Sequence, residues 1–362
     1  MLISSLSGGG AERVCVNLAN SLVEMGWHID LVVLNLNKAE YRNFVSDKVN
    51  LIVLGAKRAR YSFLYLIKYI NQKKPNKILV FNYELAVILI IMRILFRFRT
   101  KIIARNINTF SEIYNKDIKL DFFTRYVIKP LVQIFYFKAD HIVNQCNAMQ
   151  EDLLKLNHKV KKKSSVIYNP ISKQIDDYIL THDLNKVEKQ DYLLCVGRLE
   201  KQKSFNYAIE GFAGIINDFP NLRLKIVGQG SLEQELKQKA NKLCVLDRID
   251  FEGFQKNVIP YYLHARATIL TSIYEGYPNI LVESISLGTP VIAFNCPSGP
   301  NEIIQEERNG YLVDHLNVEV LKSKLKILLT KKFDRDDIIA TAKKNKIKHV
   351  SKLYGELINS FV

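Results

Sequence analysis

Two successive series of short apolar runs, each spaced by helix-like stretches, constrain this chain of 362 residues more than any other feature. The first series runs Leu2 to Ser4, His28 to Leu34, Leu51 to Leu54, Lys77 to Phe81, Lys101 to Ala104, His141 to Asn144 and Ser165 to Tyr168. The second runs Tyr192 to Val196, Arg223 to Val227, Ile249 to Phe251, Ala267 to Thr271, Val291 to Phe294 and Tyr311 to Val313. Short apolar runs bounded by turn residues suit strands buried on both faces, and the stretches between them suit crossover helices. Such alternation predicts the α/β class, with mostly parallel, doubly wound sheets. A polar stretch, Ser172 to Gln190, follows Asn169-Pro170 and separates the series. The predicted organisation is a domain over 1–175, a linker over 176–190, a second domain over 191–340, and a C-terminal helix over 341–362 that bridges back to the first. A chain of this length can bury two cores.

Composition narrows the setting. The five cysteines, Cys15, Cys146, Cys195, Cys244 and Cys296, form no C-x-x-C pair, so neither a disulfide framework nor a zinc site is expected. The start lacks the pattern of a secretory signal, which points to the cytoplasm. Net charge is +16. It is concentrated early: residues 1–180 hold 27 Lys and Arg against 14 Asp and Glu, and the remainder 25 against 22. No nucleic-acid-binding signature accompanies that charge. An anionic membrane surface is the expected partner, because Arg93 to Lys101 and Asp121 to Lys138 interleave bulky apolar and basic side chains. Core-facing helices with solvated basic faces would look the same. No apolar run is long enough to span a bilayer, so any association is peripheral.

Chemistry concentrates in Thr271 to Pro290, where Glu275 and Glu283 stand on either side of a turn and a helix start. Asn279 is placed to cap that helix, putting Glu275 in the loop and Glu283 in the first turn. In an open α/β sheet this loop lies at the carboxyl ends of the strands, where ligands bind and helix N–H groups attract anions. Glu283 there would also favour the helix dipole whatever its function. Val196-Gly197-Arg198 with Lys203 follows the first strand of the second domain. A guanidinium clamps phosphate oxygens in bidentate fashion and an ammonium adds a movable charge. Gly8-Gly9-Gly10 opens the first helix, so backbone N–H groups there can meet a phosphate or an acceptor hydroxyl. Neither this loop nor Gly228-Gln229-Gly230 completes a dinucleotide fingerprint, which disfavours hydride transfer; either could be a tight turn.

Glu275-x7-Glu283, Gly197-Arg198-x4-Lys203, Gly8 to Arg13, Val166 to Pro170 and Asn309 to Val313 together resemble the family-four retaining glycosyltransferases of the GT-B fold. Cys296 to Ile304 is similar to the version in bacterial enzymes that transfer N-acetylhexosamines during surface-polysaccharide assembly. The resemblance covers nearly the whole chain and is thin between residues 35 and 140. It implies two Rossmann-like domains facing across a cleft, a nucleotide-sugar donor, UDP-linked, in the second, and a lipid-linked saccharide acceptor met by the first. It further implies Arg198 and Lys203 on the diphosphate, Glu283 on the ribose, Glu275 near the transferred sugar, and the N–H groups of Asn279, Ile280 and Leu281 on the phosphates. Gly9, Gly10 and Gly230 join the donor-binding set. No metal or cofactor is implied, and Asp334-Arg335-Asp336 lies apart from the donor motifs as helix-start chemistry. Many relatives carry a histidine near the cleft; here Arg105-Asn106 stands instead, making Asn106 the acceptor-side candidate. The expected activity is transfer of an N-acetylhexosamine or hexose at the inner face of the membrane. A decayed binding protein on the same scaffold, or an epimerase or phosphorylase, stays open.

Overall fold

The computed structural model describes residues 1–107, 109–111, 126 and 129–361. The chain divides into two compact units, Met1–Lys173 with Ile347 onward, and Gln174–Lys346. In the first, β1 (Leu2–Ile3), β2 (Asp30–Val33), β3 (Asn50–Val53), β4 (Lys77–Val80), β5 (Lys101–Arg105), β6 (His141–Asn144) and β7 (Ser164–Val166) form one sheet in the order β3-β2-β1-β4-β5-β6-β7. Every pairing is parallel. In the second, β8 (Tyr192–Val196), β9 (Arg223–Val227), β10 (Ile249–Gly253), β11 (Ala267–Leu270), β12 (Val291–Phe294) and β13 (Gly310–Val313) are likewise parallel in the order β10-β9-β8-β11-β12-β13. Both are Rossmann-like, with the strand order reversing between β1 and β4 and between β8 and β11. Ligands bind at such reversals, outside the carboxyl ends of the strands.

The apolar pattern explains the packing. Helix Tyr83–Phe96 is apolar almost throughout and buries Leu85, Ala86, Leu89, Ile90 and Met92 in the core that covers one face of the first sheet. On the other face, helix Gly10–Glu24 contributes Val14, Leu18 and Leu22, and the C-terminal helix Ile347–Asn359 adds Val350 and Tyr354. Gly355 lets those helices close up: a Cβ there would meet the Trp27 ring at 3.2 Å. The tail therefore belongs to the first unit because its apolar stripe completes that core.

The stretch predicted as a linker over 176–190 is structured. Helix Lys173–Thr181 and a 3-10 turn at Leu184–Lys186 occupy it, and it belongs to the second unit. Ile175 and Leu184 are buried, and the polar side chains around them concealed that narrow apolar face. Asp334 caps helix Arg335–Ala340, its Oδ1 accepting from the Asp337 N–H at 2.7 Å, so the D-x-D run is helix-start chemistry. Of the Asp121 to Lys138 segment, residues 121–125, 127 and 128 lie outside the described residues, and the rest ends in helix Lys129–Phe135 and a 3-10 turn at Tyr136–Lys138.

Candidate functional site

Across the strand reversal of the second sheet, the loop after β8 faces the loop after β11. Ile273 N–H donates to the Gln202 carbonyl at 2.9 Å, Gln202 Nε2 to the Tyr274 carbonyl at 3.0 Å, and Thr271 Oγ1 to the Ser204 carbonyl at 3.0 Å. These bonds bring Lys203 Nζ to 2.6 Å from Glu275 Oε1. Ser272 Oγ donates to the same oxygen at 2.6 Å, and Ser298 Oγ donates to the carbonyls of Glu275 and Gly276. Glu275 is buried and Lys203 half-buried, so the pair is held in a medium where a lone charge would be costly. Gly197, at φ +150°, makes room for it, since a Cβ there would press on Lys203 Cε at 3.2 Å. Arg198 is exposed on the same loop and makes no ion pair among the described residues.

Glu283 corrects one expectation. Pro278 is the N-cap and the helix spans Asn279–Ser286, so Glu283 lies in the second turn and not at the dipole's positive end. It is buried, with Tyr262 Oη donating to Oε2 at 3.2 Å. In the first turn, Asn279 and Ile280 are half-buried, whereas Leu281 is buried and its N–H donates to the Pro278 carbonyl at 3.2 Å.

Gly230 has a packing reason for being glycine. A Cβ on it would lie 2.7 Å from the Leu199 carbonyl carbon, and one on Gly228, at φ +141°, would collide with the Gly197 carbonyl. These bare backbones let the loop after β9 seat against the loop that carries Arg198 and Lys203. Gly299, at φ +90°, does the same for Gly276, whose carbonyl oxygen is 2.6 Å from where a Cβ would be. Sequence reasoning missed Ser272 and Ser298, which hold the Glu275 loop; the Pro297 to Pro300 turn was the available signal. Cys296 sits beside this cluster with its thiol pushed up to about 12 by burial and by the Glu275 charge, so it stays protonated.

In the first unit the Gly8 to Gly10 loop opens helix Gly10–Glu24 at the strand reversal, where the Ser4 N–H donates to Asn82 Oδ1 at 2.9 Å. Two carboxylates crowd it: Glu40 Cδ lies 2.9 Å from a Cβ placed on Gly8, and Glu12 Cδ 3.0 Å from one placed on Gly9. Negative charge at this helix start opposes a phosphate and favours hydroxyl donors. Gly9 and Gly10, expected on the donor, thus stand beside Glu12 and Glu40, with Arg13 on the same helix start.

Asn106 is also corrected. It is buried, its Nδ2 donates to Asn144 Oδ1 at 2.5 Å, and its Oδ1 accepts from Tyr136 Oη. Each end of the amide thus bonds a neighbouring side chain, which ties Asn106 into the packing of β5 against β6 and Tyr136. Beside it, Arg105 is 1% exposed and donates to Tyr354 Oη at 2.9 Å and to Asn169 Oδ1, tying β5 to the segment after β7 and to the C-terminal helix. His141 bonds Ser165 Oγ at 2.8 Å, with its pKa lowered by burial, a structural role at the start of β6. Among the described residues no group of three or more His, Cys, Asp or Glu side chains is arranged to hold a metal.

The family models for glycosyltransferase family 4 and for glycosyl transferases group 1 match residues 8–174 and 179–345. The N-acetylgalactosamine-N,N'-diacetylbacillosaminyl-diphospho-undecaprenol 4-alpha-N-acetylgalactosaminyltransferase of Campylobacter jejuni is 26% identical over 99% of this chain and 95% of its own. Among solved structures, the lipopolysaccharide outer core galactosyltransferase WaaB superposes with a TM-score of 0.75 at 19% identity, covering 100% of both chains. Anabaena HepE in complex with UDP gives 0.75 at 16% identity, covering 99% of each. With paired carboxylate and ammonium at the reversal of its second sheet and these two models spanning nearly its full length, the chain belongs to the family-four glycosyltransferases of the GT-B fold.

Proposed function

We propose that the protein moves a sugar, an N-acetylhexosamine or hexose, from a UDP-linked donor to a lipid-linked saccharide in bacterial surface-polysaccharide assembly. The anomeric configuration is retained and no metal takes part. The observation that carries the donor site is the Lys203–Glu275 pair at the reversal between β8 and β11. Lys203 and exposed Arg198 neutralise the departing diphosphate, the work a metal would otherwise do. Asn279 and Ile280, at the helix start, add backbone N–H groups. Glu283 takes the ribose diol and Glu275 the hydroxyls of the transferred sugar, with Ser272 and Ser298 fixing its loop. As phosphate draws Lys203 away, Glu275 gains a free oxygen at the sugar. The first-unit loop at Gly9 and Gly10, under Glu12 and Glu40, receives acceptor hydroxyls. Support for the lipid-linked acceptor comes from the Campylobacter relative, and for UDP from the HepE complex.

Among the described residues no helix is long and apolar enough to cross a membrane. The basic first unit lies on the inner face of an anionic membrane, where such acceptors are found.

Incubation with a panel of nucleotide sugars and a lipid-linked saccharide, read by mass spectrometry, tests the reading. The expected result is one donor consumed only when acceptor is present, with turnover lost in Glu275→Gln. Donor conversion without acceptor would establish an epimerase or phosphorylase instead, and binding without conversion a non-catalytic protein.

A further inference from the structure

At the amino-terminal edge of the first sheet, the edge away from the strand ends that carry the site, the chain forms a cavity of about 580 Å³. Lys74, Lys77, Arg99 and Lys101 line it together with Phe98 and Phe361, and no carboxylate does so among the described residues. Lys77 and Lys101 are register partners, the first residues of β4 and β5, so two like charges start neighbouring strands roughly 4.8 Å apart. Lys101 has Asp140 at 3.7 Å, but Asp140 also holds Arg93. Lys74, Lys77 and Arg99 make no ion pair among the described residues. Like charges gathered this way repel, and an anion seated among them removes the repulsion.

What adjoins the cavity decides which anion. Phe98 and Arg99 follow the C-cap Arg97 of helix Tyr83–Phe96, whose last turn exposes Ile94 at 49%, Leu95 at 63% and Phe96 at 53%. Ile70 and Lys74 bring the end of helix Phe63–Lys73 into the same lining. Phe63 and Phe96 join the two helices with ring centroids 5.9 Å apart. Bulky apolar side chains left in solvent beside a cationic cavity match the boundary between headgroups and acyl chains in a bilayer. A soluble phosphate compound would use the cations and leave the apolar rim bare.

We infer that this cavity is a receptor for the phosphate of an anionic membrane phospholipid, with Leu95 and Phe96 entering the lipid beside it. The inference rests on the peripheral membrane reading and gives it an address.

Co-sedimentation of the full chain with phosphatidylcholine vesicles, with and without phosphatidylglycerol, tests both separately. Lys74→Ala with Arg99→Ala changes two exposed side chains, so the fold should be kept, and equal thermal midpoints check this. Lys161→Ala with Lys162→Ala removes the same charge elsewhere on the first unit, from an exposed turn. The cavity pair should lose roughly 30-fold in affinity for the anionic vesicles, while the control pair loses only a few-fold. Leu95→Asn should weaken binding even where salt screens the charges. If the natural chain ignores anionic vesicles, the membrane reading falls and this inference with it. If the natural chain binds but both pairs lose equally, or neither loses, the cavity is no receptor while the membrane reading stands.

Discussion

The loop after β1 and the loop after β8 occupy the same place in the same strand order, yet they are furnished oppositely. The first presents glycines under two carboxylates, Glu12 and Glu40. The second presents Arg198 and a Lys203 ammonium bonded to Glu275. One topology thus carries carboxylates at one helix start and cations at the other. Fold alone supplies the position at the strand reversal; the chemistry offered there is set by a few charged side chains.

The largest effect should come from stripping the second loop of its cation. Lys203→Ala is expected to lower kcat/KM for the donor by ~10²–10³, the loss typical of removing a preorganised charge from a developing anion. The acceptor KM should stay in place. A loss confined to acceptor KM would break the assignment of the two loops. Lys203→Ala also leaves Glu275 buried without its cation, so the thermal midpoint should fall too.

Next in size is a contrast between the glycines. Gly228→Ala forces a Cβ onto the Gly197 carbonyl at a φ of +141°, and both backbones are fixed by the sheet. A cost of about 3 kcal/mol or more is expected in denaturant unfolding. Gly9→Ala meets only the end of the Glu12 side chain, with Gly9 at an ordinary φ of −102°, and should cost about 1 kcal/mol because alanine is a poor N-cap. Equal costs would mean that the first loop is as closely packed as the second.

How much of this was legible beforehand follows from where each determinant lies. The strands were readable because four or five consecutive apolar residues such as Tyr192–Val196 suit little else. Parallel order followed from the helices between them. The Glu275 and Lys203 loops were readable because charged residues interrupt strand ends in a fixed pattern. Helix Lys173–Thr181 was not, since only one narrow face is apolar and the rest resembles a linker. Asn106 misled for a related reason: sequence shows that an amide stands after β5, but not that Tyr136 and Asn144, far along the chain, already take both its ends. Glu12 and Glu40 changed the meaning of the first glycine loop through contacts that no local pattern reveals.

The carboxylates can be tested directly. Glu12→Gln with Glu40→Gln keeps shape and removes charge, and should raise the acceptor KM about tenfold with kcat and donor KM unchanged. If the donor KM falls instead, the first loop is a phosphate site that its carboxylates merely weaken.

The smallest effect separates the units by pH. Lys189 is buried in the second unit, where Nζ donates to the Leu263 carbonyl at 2.8 Å and to Thr289 Oγ1 at 2.5 Å. Burial, and then the charge of Arg335, lower its pKa to about 7. The unfolded chain holds that proton up to its ordinary value of roughly 10.4. Unfolding therefore takes up a proton across this window, so the contribution is fully present above the unfolded value and is lost as pH falls through the folded one. Thr289 Oγ1 in turn donates to the Tyr262 carbonyl, and Tyr262 Oη bonds Glu283, so a hydrogen-bond chain links the lysine to Glu283. Amide exchange followed from pH 7 upward should show the second unit gaining roughly 1 kcal/mol per pH unit relative to the first, once corrected for intrinsic exchange rates. Lys189→Met should flatten that slope. A gain shared equally by both units would show that their stabilities are coupled through the two chain crossings, and that the opposed furnishing of the two loops sits on one cooperative scaffold.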